Sequence, residues 1–158
     1  MFTIQIIVPE QAVPQPRPRA RRLGKRVQVY VPKGKSASYR KSIIASVREQ
    51  LPGLVIDSPC VVTVEFAMRM ASKNRVALYG EPHDRRPDID NMLKTTFDGL
   101  VDSGLFPDDN IIWKTIASKR WCRRDEVPTT YITVEYENTE GGEAPPDDSQ
   151  GTEEPQPS

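Results

Sequence analysis

The sequence predicts an α/β fold of the α+β kind: a small mixed β-sheet with two main helices packed on it. Three observations carry that expectation. Apolar and polar residues alternate in short segments at 2–8, 27–31, 60–70, 111–121 and 129–136. Two other segments, after Ser36 and after Asp88, repeat their apolar residues every three or four positions. The order strand, strand, helix, strand, helix, strand, strand interleaves the two kinds of element, as helices layered on a sheet require.

Each element has its own signal. Phe2, Ile4, Ile6 and Val8 put one apolar face on a strand that Pro9 ends. The following stretch, PEQAVPQPRPRARRLGKR, alternates prolines with arginines and reads as an extended arm over about 10–26. Val27, Val29 and Val31 give a short strand. Ser36 or Ser38 suits a helix cap, and Tyr39, Ile43, Val47 and Leu51 recur on one face until Pro52-Gly53 stops the helix. After Pro59, Val62, Val64, Phe66 and Met68 face one way, while Val61, Thr63 and Ala67 leave the other face moderately apolar, the pattern of a central strand. A polar connection over 71–87 leads to a helix expected from about Ile89 to Asp102, buried through Ile89, Met92, Leu93, Thr96, Phe97 and Leu100 and closed by Ser103-Gly104. Strands from Ile111 to Trp121 and from Thr129 to Tyr136 complete the set.

Composition divides the chain unevenly. Residues 137–158 contain seven acidic side chains, no lysine or arginine, and no apolar residue larger than Ala144. Such a segment buries too little surface to offset its ordering entropy, so the expected folded unit is 1–136 with an acidic disordered tail. The whole chain is neutral, but setting the seven tail acids aside leaves 22 basic against 15 acidic side chains, a net charge of +7. Between Gln11 and Arg48 there are eleven basic residues and no acidic one. A polyanionic partner is expected, and nucleic acid comes before a membrane because no apolar anchor accompanies the charge. No run of about 18 apolar residues is present, and MFTIQIIVPEQ lacks the basic start and small-residue cleavage site of a signal peptide. Cys60 and Cys122 make neither a disulfide framework nor a zinc site, which suits reduced core residues of a cytosolic protein.

The most informative stretch is Pro87–Asp109, PDIDNMLKTTFDGLVDSGLFPDD. Asp88 and Asp90 stand two residues apart at a helix entrance, where Asp88 can occupy the cap or the extended position before it. Mid-helix, two such residues would diverge; at the entrance both can reach one ion. Lys94 and Asp98 follow on the face of Asp90, and Asp108-Asp109 come from the loop before the next strand. A carboxylate set without histidine or cysteine suits Mg²⁺ or Mn²⁺ rather than zinc. Bound ions of this kind activate water and polarise a scissile phosphate, and Lys94 would stabilise the added charge. The same residues also suit plainer roles: Asp88 or Asp90 as a helix cap, Lys94 and Asp98 as an exposed pair, Asp108-Asp109-Asn110 as a turn.

Asp88-Ile89-Asp90-Asn91, Lys94, Phe97-Asp98-Gly99-Leu100 and Asp108-Asp109 before an isoleucine-rich strand resemble the RusA-type Holliday junction resolvases, small homodimeric endodeoxyribonucleases common in phages and prophages. PRPRARR, VYVPK and the Ser-Tyr-Arg-Lys helix start extend the likeness over roughly 2–136. The resemblance implies that Asp88, Asp90 and Asp109 bind metal, that Lys94 is the catalytic lysine, and that a homodimer resolves four-way DNA junctions by paired symmetric nicks with Mg²⁺ or Mn²⁺. Asp98 and Asp102 then fall to the helix surface. DNA phosphates are expected on Arg17, Arg19, Arg21, Arg22, Lys25, Arg26, Lys33 and Lys35, on Arg85 and Arg86 beside the acidic motif, and on Lys119, which clusters with Arg120, Arg123 and Arg124. His83, the only histidine, is conceivable as a general base but more ordinary as a loop residue. Trp113 and Trp121 suit a core or a dimer interface better than base stacking. Two rivals remain: a non-catalytic DNA-binding module, and a nuclease of this fold acting on another branched nucleic acid.

Overall fold

The computed structural model describes residues 1–31, 34–70, 72 and 75–137. Lys33 and 138–158 of the acidic tail lie outside the described residues. Strand β1 spans Phe2–Val8, β2 Arg19–Leu23 and β3 Arg26–Tyr30; helix α1 spans Ser36–Gln50, β4 Cys60–Met68, α2 Ile89–Asp102, β5 Ile112–Trp121 and β6 Thr129–Tyr136. Short 3-10 turns at Val76–Leu78 and Asp109–Ile111 precede α2 and β5. The principal sheet has the order β1-β6-β4-β5, antiparallel except for the parallel pair β4 and β5, so it is mixed as expected.

Strand β4 is interior, as its two moderately apolar faces predicted. One sheet face carries Ile4, Ile6, Val8, Val62, Val64, Phe66, Ile132 and Val134, all buried. Both helices close over that face: α1 through Tyr39, Ile43 and Val47, and α2 through Met92, Thr96 and Leu100. Burial of this apolar surface is the main stabilising term. It also encloses one polar junction, in which the Tyr39 hydroxyl meets Thr96 Oγ1 at 2.9 Å and Thr130 Oγ1 at 3.0 Å, joining α1, α2 and β6. Desolvation pushes the Tyr39 phenol up to about 12, so it stays neutral and its hydrogen bonds persist.

Two local expectations are corrected. The basic arm is not extended to its end: 19–23 form a strand that pairs with β3 through the two-residue turn Gly24-Lys25, where Gly24 adopts φ +60. A glycine opening a two-residue loop is a hairpin signal, because the strand twist demands the left-handed conformation there. Neither Ser36 nor Ser38 caps α1; Lys35 holds that position and makes no side-chain cap bond.

The edges of the sheet differ. On β1, Gln50 accepts from the Ile7 amide at 2.9 Å and donates to the Ile7 carbonyl at 2.8 Å. On β5, the segment before α2 covers only the last residues: Pro82 bridges Arg120, the His83 amide donates to the Lys119 carbonyl at 3.0 Å, and the Trp121 amide donates to the Glu81 carbonyl at 2.9 Å. Among the described residues no strand or bridge pairs with the outer edge from Ile112 to Ser118.

Gly99 sets the distance between the helices. A Cβ there would sit 2.8 Å from Ile43 Cδ1 and 3.1 Å from both Ile43 Cβ and Cγ2. Gly99→Ala should gain about 1 kcal/mol of helix propensity yet lose about 1–3 kcal/mol to overpacking against a stiff β-branched side chain. We therefore predict a lower urea midpoint for Gly99→Ala; a raised midpoint would mean the helices are not held this close.

Candidate nuclease site

Helix α2 begins where the sequence places it, because Pro87 disfavours helical geometry in Arg86 and Asp88 is extended, with φ −69 and ψ 143. Asp88 holds the N-cap position but makes no side-chain cap bond. Its carboxylate instead lies 3.8 Å from Arg17 Nη2, with both side chains well exposed. Asp90 follows in the first turn, also exposed, beside a positive helix end that favours anionic groups. The capping role is thus unfilled by either carboxylate.

The entrance is held from behind by β5. Lys119 Nζ donates to the carbonyl of Arg85 at 2.5 Å and to that of Pro87 at 2.9 Å. His83 is buried with its ring 4.2 Å from that of Trp121, and its Nδ1 accepts from the Arg85 amide at 3.4 Å. Burial and then the Lys119 charge hold the His83 imidazole below its usual pKa. These contacts make His83 and Trp121 packing residues. Arg120 is likewise buried: it bonds Glu65 at 2.9 Å and forks onto Glu126 at 2.6 and 2.9 Å. That fork, with the Arg123 amide and Tyr131 hydroxyl, keeps the Glu126 carboxyl down at about 2. Arg120 is therefore not part of a solvated basic cluster.

The second acidic group lies further along the helix. Asp108 is extended and its Oδ1 accepts from the Asn110 amide at 2.9 Å, so the turn reading holds for Asp108. Asp109 has no such duty. Its carboxyl is pushed above its usual pKa, first by burial and then by the hydrogen bond and charge of Asp108 and the charge of Asp98, against the pull of Lys94. Asp98, assigned from sequence to the helix surface, is therefore in electrostatic reach of Asp109. Its signal was the spacing Asp90, Lys94, Asp98, which sets three charged groups on one stripe of α2.

The donor set fits a hard divalent cation in kind. It is all carboxylate oxygen, and Asp98, Asp108 and Asp109 bring like charges near one another with Lys94 opposing them. In arrangement it is divided: among the described residues no three acidic, histidine or cysteine side chains stand together as one ligand set. Asp88 and Asp90 sit at one end of α2, and Asp109 approaches at the level of Lys94 and Asp98.

Beside Asp88 opens a groove of about 1170 Å³, lined among others by Arg17, Arg19, Lys35, Arg69, Arg86 and Asp88. Four of the predicted phosphate-binding residues thus meet at the acidic entrance. Arg69, which the sequence reading did not single out, joins them because it directly follows β4, the strand that feeds the site. Arg21, Arg22, Lys25 and Arg26 lie apart on the exposed β2-β3 hairpin, where Arg21 is tied to Gln28 at 2.8–2.9 Å. Arg85 is exposed next to the groove, whereas two of the Lys119 donors are committed to carbonyls. No helix among the described residues is long and apolar enough to cross a membrane.

A search of curated proteins finds no match to this chain. The family described as Endodeoxyribonuclease RusA matches residues 9–135, which takes in the groove, both acidic groups and every strand except β1 and the last residue of β6. The chain belongs to the RusA endodeoxyribonuclease family of Holliday junction resolvases.

Proposed function

We propose that this endodeoxyribonuclease is Mg²⁺-dependent and acts as a homodimer, cutting four-way DNA junctions by paired symmetric nicks. The observation that carries the reading is the juxtaposition of uncapped Asp88 with a groove of five basic side chains. Phosphate contacts along that groove would fix the strand without reading its bases. Asp88, Asp90 and Asp109 would hold the metal, with Mn²⁺ as a substitute for Mg²⁺. When bound, the metal supplies an activated water and a polarised phosphate. Lys94 would lend its charge to the phosphate as negative charge builds there. The Lys119 bonds to the Arg85 and Pro87 carbonyls keep the Asp88 backbone in place for this work.

Homodimerisation is supported by β5. Trp113 is 68% exposed and Ile116 50% exposed on an edge strand whose outer side is bare from Ile112 to Ser118. An unprotected edge of this kind invites pairing, and a closed pair of identical subunits supplies two sites related by a twofold axis, as a four-way junction offers two equivalent strands.

Two measurements test the reading. With a labelled four-way junction and Mg²⁺, the wild-type chain should nick opposing strands symmetrically, whereas Asp90→Asn should bind the junction with similar affinity and cut at least 100-fold more slowly. Cutting by Asp90→Asn at the parental rate would remove Asp90 from the site, and absence of cutting by the wild type in Mg²⁺ and Mn²⁺ would sink the activity. By sedimentation, Trp113→Glu should fall from about twice to about once the 17.8 kDa chain mass; a variant that stays dimeric moves the interface away from β5.

A further inference from the structure

We infer that the β2-β3 hairpin is a base-reading arm: it lies in the major groove of a duplex next to the cut, where Arg21, held by Gln28 and Tyr30, bonds the edge of a guanine. This rests on reading the groove beside Asp88 as the path of a DNA strand, and it adds a sequence-sensing residue to that path.

The hairpin stands off the body of the protein. Strands β2 and β3 form a sheet of their own, are exposed at every position and contribute nothing to the core. A two-stranded ribbon is marginally stable in water by itself, so core burial does not explain this one. From Arg19 to Tyr30 it carries five basic side chains and no acidic one, which suits a polyanion. Its root is fixed at the site, because Arg19 and Lys35, at either end of this segment, both line the groove beside Asp88. From Arg19 to Leu23 the strand reaches about 14 Å, the length of about four base-pair steps.

The two faces of the ribbon differ. Residues paired across antiparallel strands share a face. Arg19 pairs with Tyr30, Arg21 with Gln28 and Leu23 with Arg26, so three arginines, a glutamine and a tyrosine stand together. The opposite face holds Ala20, Val27 and Val29 with Arg22 alone for charge.

Arg21 is oriented beyond what a phosphate contact needs. Its Nε and Nη2 donate to Gln28 Oε1 at 2.9 and 2.8 Å, and its guanidinium carbon lies 5.4 Å from the centre of the Tyr30 ring. These bonds use one edge of the fork and leave the edge between Nη1 and Nη2, with a hydrogen on each. That edge matches the O6 and N7 acceptors that guanine displays in the major groove. Holding the side chain beforehand lowers the rotamer entropy lost on binding. A phosphate can be met from many directions, so a fixed fork serves recognition of a base edge. The major groove, about 12 Å wide, admits a two-stranded ribbon, whereas the minor groove, about 6 Å wide, is too narrow unless it is opened.

Junction binding without divalent metal, followed by fluorescence anisotropy, tests this apart from cutting. In one four-way junction, guanines fill one strand of the first five base pairs of each arm. In the other, 7-deazaguanine replaces them, which removes N7 and keeps the base pairing. The wild-type chain should bind the second about threefold more weakly or worse, as loss of half a bidentate guanine contact requires. Arg21→Ala should bind both alike. Gln28→Ala keeps every charge, so its salt dependence should stay that of wild type while most of the difference between the junctions disappears. All three chains should keep the same thermal midpoint, since both positions are exposed. A wild type that binds the two junctions alike overturns the inference and leaves the nuclease reading standing. An Arg21→Ala chain that keeps the difference overturns the role of Arg21, and a wild type that binds neither junction removes the substrate reading as well.

Discussion

The placement of helix α2 is the constraint on which the rest of the site depends: it fixes Asp88 and Asp90 at its entrance and Lys94 and Asp98 along its body. Several contacts hold the helix in place. Gly99 lets it rest against Ile43, Thr96 bonds Tyr39 and, through it, meets Thr130 of the sheet, and Lys119 fastens the backbone just before its entrance. Rigid placement is useful for a group that must meet a scissile phosphate in a fixed geometry.

Electrostatics are arranged around the same helix. The basic groove collects Arg17, Arg19, Lys35, Arg69 and Arg86 next to Asp88, so the phosphate of a bound strand and the carboxylates that would hold a cation are brought close together. The exposed Arg17–Asp88 contact at 3.8 Å is weak and solvent-screened, which leaves both groups available to DNA and metal. By contrast the buried fork of Arg120 on Glu126 is structural: it orders the turn that carries Val127 and Pro128 into the groove wall.

Much of this was legible in the sequence because local rules applied. The bounds of α2 followed from Pro87 and Ser103-Gly104, and the interior place of β4 from its two apolar faces. Strand β3 was expected from Val27, Val29 and Val31, but β2 and its hairpin pairing were missed because an arginine-rich strand shows no apolar alternation, although Gly24 at the turn carried the signal. Roles set by tertiary contact were not legible. Lys119 and Arg120 are neighbours of the same charge, yet one grips two carbonyls at the surface of the site and the other is buried in a carboxylate fork. Periodicity could show that Asp90, Lys94 and Asp98 share a stripe, but not that Asp109 folds back against the far part of it. Nor could the motif reveal which of its aspartates meet, since spacing along a chain does not fix which end of a strand a loop returns to.

The most direct measurement is a Mn²⁺ titration of the amide-labelled protein, read as paramagnetic broadening of backbone resonances. A single shared metal site predicts that the amides of Asp88–Asn91 and of Asp109–Ile111 broaden together, with one half-saturation. Broadening of one group without the other, or broadening confined to the acidic residues of 137–158, would contradict it.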